Sequence, residues 1–208
     1  MSSHPFEELV YQRVIESVSA WEHELRQDVY ALCLLYGSGA SADEEGNEVY
    51  YQGWVSLSYN TRSHAQEEVA LIGTSEPEWN NAYWLHDLNF FAPAMADYGT
   101  PPNDVEMQLR DSWCASVEVE PDGKDESGRP TYNEPALYRA VAAMCGQVVR
   151  RLHEDDAISA FFGKPIPVVI ETSDWSDEAL ATTKESNPPE LLKEYSQWMY
   201  ERIHPTYG

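Results

Sequence analysis

Val29-Tyr-Ala-Leu-Cys-Leu-Leu-Tyr36 is an unbroken apolar run of eight residues. It is too short for an independent buried helix and rich in strand formers, so it predicts a central strand buried on both faces. Val49 to Tyr59 alternates instead: Val49, Tyr51, Val55, Leu57 and Tyr59 share one face, and Gln52, Ser56 and Ser58 the other. That period predicts a half-buried strand antiparallel to the first. Val168-Val-Ile170 is a second short apolar strand.

The rest of the chain supplies helices. Phe6, Leu9, Val10, Val14, Val18, Trp21 and Leu25 recur at helical spacing and predict one helix over 4–26, with Pro5 in its first turn. Asn60-Thr61 predicts the start of a short helix through Val69. Residues 73–103 read as irregular and aromatic, and 104–117 as a helix. Asn133-Glu134-Pro135 predicts a long helix with Leu137, Val141, Met144, Cys145, Val148, Val149 and Leu152 as its inner stripe. Ser173 or Asp174 opens a helix over 175–185, and Asn187-Pro188-Pro189 caps a last one. The expected fold is α/β (α+β): one domain over 1–208, a small mixed sheet covered by several amphipathic helices. Exposed loops are expected at about 37–48 and 121–133, the second the best candidate for disorder.

Charge is the strongest functional signal. Thirty-six acidic residues against thirteen basic ones leave the chain at −23. Between Asp28 and Glu106 there are thirteen carboxylates and one basic side chain, Arg62, interleaved with many aromatics. Charge complementarity steers encounter and aromatics anchor contact, so this composition suits a basic protein partner. The expected binding residues are Asp43, Glu44, Glu45, Glu48, Glu67, Glu68, Glu76, Glu78, Trp79, Tyr83 and Trp84. Direct nucleic-acid or anionic-membrane binding is not expected, because phosphate contacts need a basic patch. A salt-adapted host would produce the same acidity in a housekeeping protein without any docking role.

Chemistry-bearing clusters are sparse. No Cys-x-x-Cys, phosphate loop or dinucleotide fingerprint occurs. Cys33 and Cys145 sit in apolar runs and read as small hydrophobes. His153 and Asp156, at i and i+3, are the one pair spaced for a metal, against a solvated helix end as the plainer reading. His86-Asp87 could pair a base with its orienting group, but neighbours in sequence rarely point the same way. Asp174, Asp177 and Glu178 read as acids at a helix N-terminus. No catalytic residue and no cofactor is assigned; a small hydrolase or metal enzyme using a His/Asp cluster is the alternative to binding. No signal-peptide core interrupts the first thirty residues and no segment approaches a membrane span, so a cytoplasmic protein is expected. No feature of the sequence sets an oligomeric state.

Phe161-Phe162-Gly163-Lys164, the strand at Val168–Ile170, Asp174-Trp-Ser-Asp177 and Ser186-Asn187-Pro188 follow one another in the last third. Together with Val29-Tyr30-Ala31-Leu32 and Ser58-Tyr59-Asn60-Thr61 they resemble the uncharacterised bacterial family catalogued as domain of unknown function 4303. The resemblance spans about residues 5–200 and departs at 37–48 and 121–133. It implies no activity; acidic families of this general type are similar to immunity proteins of toxin systems.

Overall fold

The apolar run forms the inner part of a longer strand, β1 (Val29–Ala42), paired antiparallel with β2 (Glu48–Thr61). The chain was analysed as a computed structural model that describes residues 3–42, 48–93, 103–172 and 177–203, without the side chains of 40–42, 48–51, 88–89 and 203. On one side of this hairpin β3 (Leu85–Ala92) pairs antiparallel with β2; on the other β6 (Val168–Glu171) pairs parallel with β1. The sheet is mixed, in the order β3-β2-β1-β6, which places the two long strands inside.

Two expectations about loops are corrected. Residues 37–42 continue β1, because Gly37 and Ser38 pair with Trp54 and Gln52; residues 43–47 lie outside the described residues. Residues 121–133 form a second hairpin, β4 (Pro121–Lys124) and β5 (Pro130–Tyr132). Its turn is held by Asp125, whose N–H donates to Arg129 O at 2.9 Å and whose carboxylate accepts from Arg129 N at 2.8 Å. Gly128 supplies the left-handed residue that such a turn requires, at φ 81°.

Helices cover both faces of the sheet. On the first face α1 (Pro5–Ala20), α2 (His23–Asp28), α6 (Glu134–Glu154) and α7 (Ala157–Phe162) pack with Leu32, Leu34, Val55, Leu57, Val168 and Ile170. The predicted stripe of α6 is buried at every position, and each fully buried Leu or Val contributes about 1.5–3 kcal/mol. Asn133 caps α6 through its side-chain oxygen, as its sequence suggests. The predicted helix over 4–26 breaks at Trp21, where the backbone turns extended. Tertiary packing overrides the helical period there: the Trp21 ring lies 4.4 Å from Tyr59 and its indole donates to Asp87 at 3.0 Å.

The second face carries Ala31, Cys33 and Val169 beneath α4 (Glu76–Trp79), α8 (Asp177–Ser186) and α9 (Lys193–Ile203). This layer buries Ser56 and Ser58, so β2 is enclosed rather than half-buried. The last helix begins at Lys193, after a 3-10 turn over Pro189–Leu191; Leu192 just before it and Tyr195 and Met199 within it are buried, with Leu191 and Trp198 half-buried. Cys33, Cys114 and Cys145 are all buried and free. Among the described residues no helix is long and apolar enough to cross a membrane.

The outer edge of β6 is finished by side chains. Asn187 accepts from Val168 N at 2.8 Å and donates to Val168 O at 2.9 Å. Thr183 accepts from Ile170 N at 3.0 Å and donates to Ile170 O at 3.3 Å. An amide and a hydroxyl thus take the place of a neighbouring strand.

One residue re-sets the pattern of β2. Gly53, at φ 69°, is an extra residue between the pairs Gly37–Trp54 and Ser38–Gln52. The bulge brings Gln52 onto the face of Val55 and Leu57, opposite to the side its alternation predicts. A Cβ at Gly53 would meet the Leu137 side chain at 3.2 Å. Gly53→Ala is therefore expected to lower stability by about 1–2 kcal/mol through the left-handed backbone alone, read as an earlier urea midpoint.

Candidate functional site

The predicted acidic surface divides. Glu48 opens β2, and α3 (Arg62–Ile72) follows immediately after that strand's other end at Thr61. Fourteen strand residues at about 3.3 Å each hold Glu48 and Glu67 tens of ångströms apart. A single patch spanning Glu48 to Glu78 is therefore not formed. Asp43, Glu44 and Glu45 lie outside the described residues, as does the Glu48 side chain.

Glu67 and Glu68 stand on α3, and Glu76 and Glu78 on α4, two helices in contact at one corner of the fold. Thr61 caps α3 by accepting from His64 N at 3.1 Å, and Gly73 ends it in the left-handed region at φ 82°. Glu67 is exposed and Glu68 half-buried. Glu76 is engaged: it accepts from Asn80 Nδ2 at 3.1 Å and lies 3.6 Å from Arg202. Glu78 is exposed, and its backbone carbonyl accepts from the Tyr30 hydroxyl.

The aromatic anchors do not survive. Trp79 and Trp84 are buried, at 8% and 4% exposure, which removes both from any contact surface. Trp79 meets the Tyr30 ring edge-on at 5.6 Å and Tyr195 at 5.8 Å, inside the second layer. Tyr83 is half-buried, with its carbonyl 2.8 Å from His64 Nε2. The exposed apolar groups on this corner are instead Leu71, at 80%, and Ile72, at 38%. Glu67 and Leu71 are four residues apart on α3, as are Glu68 and Ile72, so acid and apolar groups share its outer side. The helix predicted from the sequence ends at Val69, so these two residues fall outside it.

The metal and acid–base pairs also separate. His153 Nε2 lies 3.1 Å from Asn187 Oδ1, so its ring is turned toward the end of β6. Burial lowers the His153 pKa, and the Asn187 contact partly opposes this. Asp156 is exposed in a left-handed turn before α7. Among the described residues no group of three potential ligands forms. His86 is exposed, whereas Asp87 is buried and accepts from the Ser17 hydroxyl and the Trp21 indole. Asp174 lies outside the described residues; Asp177 and Glu178 stand in the first turn of α8.

A titratable group that sequence reasoning missed is Glu171, the last residue of β6 and 1% exposed. It pairs with Leu35 and so shares the second face with Cys33, Ser56 and Ser58. Its Oε1 accepts from the Tyr195 hydroxyl at 2.8 Å. Burial pushes its pKa up to about 7, although Tyr195 and the nearby Asn81 amide favour the charged form. No family model, curated protein or solved structure matches this chain.

Proposed function

We propose that this chain is a non-enzymatic binding protein that docks a basic protein partner on the α3–α4 corner and acts by occluding it. The reading is of the immunity or antitoxin type, by analogy with other acidic bacterial families. One observation carries it: Leu71, 80% exposed, stands on the same helix side as uncommitted acidic groups at Glu67 and Glu68. The one Lys or Arg of α3 is Arg62, at its start, so at the other end Leu71 and Ile72 offer an apolar contact beside the Glu67 and Glu68 carboxylates. Docking would bury Leu71 and Ile72, and the carboxylates would steer approach.

The test is affinity capture from the source cell, with wild-type protein against Glu67→Lys/Leu71→Arg. Basic proteins are expected on the wild-type resin only, with capture falling steeply as salt rises toward about 0.5 M. Recovery of acidic or neutral proteins alone, or equal recovery on the variant, overturns the reading. Both substituted side chains are solvent-facing, so the variant is expected to fold normally.

A further inference from the structure

Where β1 and β6 begin, the sheet leaves a cavity of about 470 Å³, walled by α3, α4, the segment 164–167, the 3-10 turn at 189–191 and the start of α9. That volume is within the range of small-molecule sites. Its accessible apolar lining includes Tyr30, Pro165 and Leu191. Six charged side chains surround this surface: Arg62, Lys164 and Lys193, with Glu78, Glu190 and Glu194.

None of the six joins an ion pair within 4.0 Å among the described residues. Elsewhere Arg13, Arg110, Arg129, Arg151 and Arg202 are each paired with a carboxylate. Three of the chain's thirteen basic side chains thus line one cavity, although the chain carries a net charge of −23. The Tyr30 hydroxyl is already engaged, donating to Glu78 O and accepting from Asn60 Nδ2 at 2.9 Å. Burial is the main cause that raises its pKa; Glu78 and Glu194 add to it and Arg62 opposes it, so charges of both signs lie within electrostatic reach of one wall. The Arg62 guanidinium stands 5.9 Å from the Tyr30 ring centroid.

The rim charges cancel in number. A simple anion would meet three carboxylates, and a simple cation three basic groups. A ligand carrying both signs engages both sets at once, and only such a ligand gains from every rim group. We propose that this cavity binds a zwitterionic small molecule of the amino-acid or short-peptide class. Lys164 and Lys193 take its carboxylate, glutamates of the rim take its ammonium, and an apolar side chain lies against Pro165 and Leu191. This site is distinct from the Leu71 face and does not depend on a protein partner.

The probe is L-leucyl-L-leucine, titrated calorimetrically into the full chain beside free leucine, N-acetyl-leucyl-leucine and leucyl-leucine amide. The dipeptide or free leucine is expected to saturate the protein below about 10 mM, and each blocked form to bind at least about tenfold more weakly. Whichever of the two parents binds more tightly gives the ligand length. Lys164→Ala/Lys193→Ala is expected to weaken the dipeptide about tenfold and not to weaken the amide, which has no carboxylate contact to lose. A thermal melt confirms that this variant is folded. Absence of binding by both unblocked probes, or equal affinity for blocked and unblocked dipeptide, overturns the proposal.

Discussion

Arg110→Ala is expected to lower the unfolding free energy by about 3–5 kcal/mol, a large share of the 5–15 kcal/mol typical of a folded domain. Arg110 lies in α5 (Asp104–Ser116) and is 1% exposed. One guanidinium nitrogen donates to the Gln52 carbonyl beside the Gly53 bulge. Its Nε and a second terminal nitrogen both reach Asp111 Oδ1, at 2.8 and 2.5 Å. The guanidinium carbon lies 5.2 Å from the Tyr132 ring centroid, and the Tyr132 hydroxyl donates to the same Asp111 oxygen at 3.1 Å. Gln52 closes the knot by pairing with both Tyr132 N and Tyr132 O.

One planar fork thus joins α5, the bulge of β2 and the second hairpin. Removing it leaves the buried Gln52 carbonyl without this donor and takes two donors from the partly buried Asp111 carboxylate, which keeps the Tyr132 hydroxyl. Arg110→Lys keeps the charge but not the fork, and is expected to recover only a minor part of the loss. Urea unfolding followed by circular dichroism measures all three proteins. A loss below about 1 kcal/mol for alanine, or full recovery by lysine, would show that the network is dispensable.

Glu171→Gln is expected to stabilise the protein by roughly 3 kcal/mol above pH 8 and to change it little near pH 4.5. The folded-state pKa of about 7 stands above the ordinary value of 4.5. Between those values the folded chain holds a proton that the unfolded chain has released. The stability this group allows is therefore complete below about pH 4.5 and is lost as pH rises through 7. Glutamine keeps an acceptor for the Tyr195 hydroxyl and cannot ionise, so it escapes that loss. Comparing variant with wild type at each pH cancels the repulsion among the other carboxylates. A gap of the same size at pH 5 and pH 8 would mean that Glu171 does not titrate in the folded chain as argued.

The central strand was legible because Val29–Tyr36 excludes polar residues altogether, and α6 because its stripe and its Asn133 cap agree. β3 was missed for a specific reason. Its partners in β2 jump from Phe91 at Ser56 to His86 at Ser58, so extra residues interrupt any alternation. Trp21 breaks a good helical pattern through contacts with residues distant in sequence, which no local window contains. The acidic site was half legible. Its residue types are plain in the sequence, but a strand as long as β2 sets its two halves at opposite ends. Glu171 gave a weak signal, one carboxylate ending an apolar strand. Arg110 looked like any helix charge, since its burial depends on a bulge that shifts Gln52 to the same face.

The side-chain finish on β6 bears on self-association. An open flank of a sheet is a template on which a second chain can extend it, and acidic repulsion fades in concentrated salt. Asn187 and Thr183 already occupy the donors and acceptors of Val168 and Ile170 that such an extension needs. Growth into fibrils from that flank is blocked by short-range geometry, a protection that holds at any ionic strength.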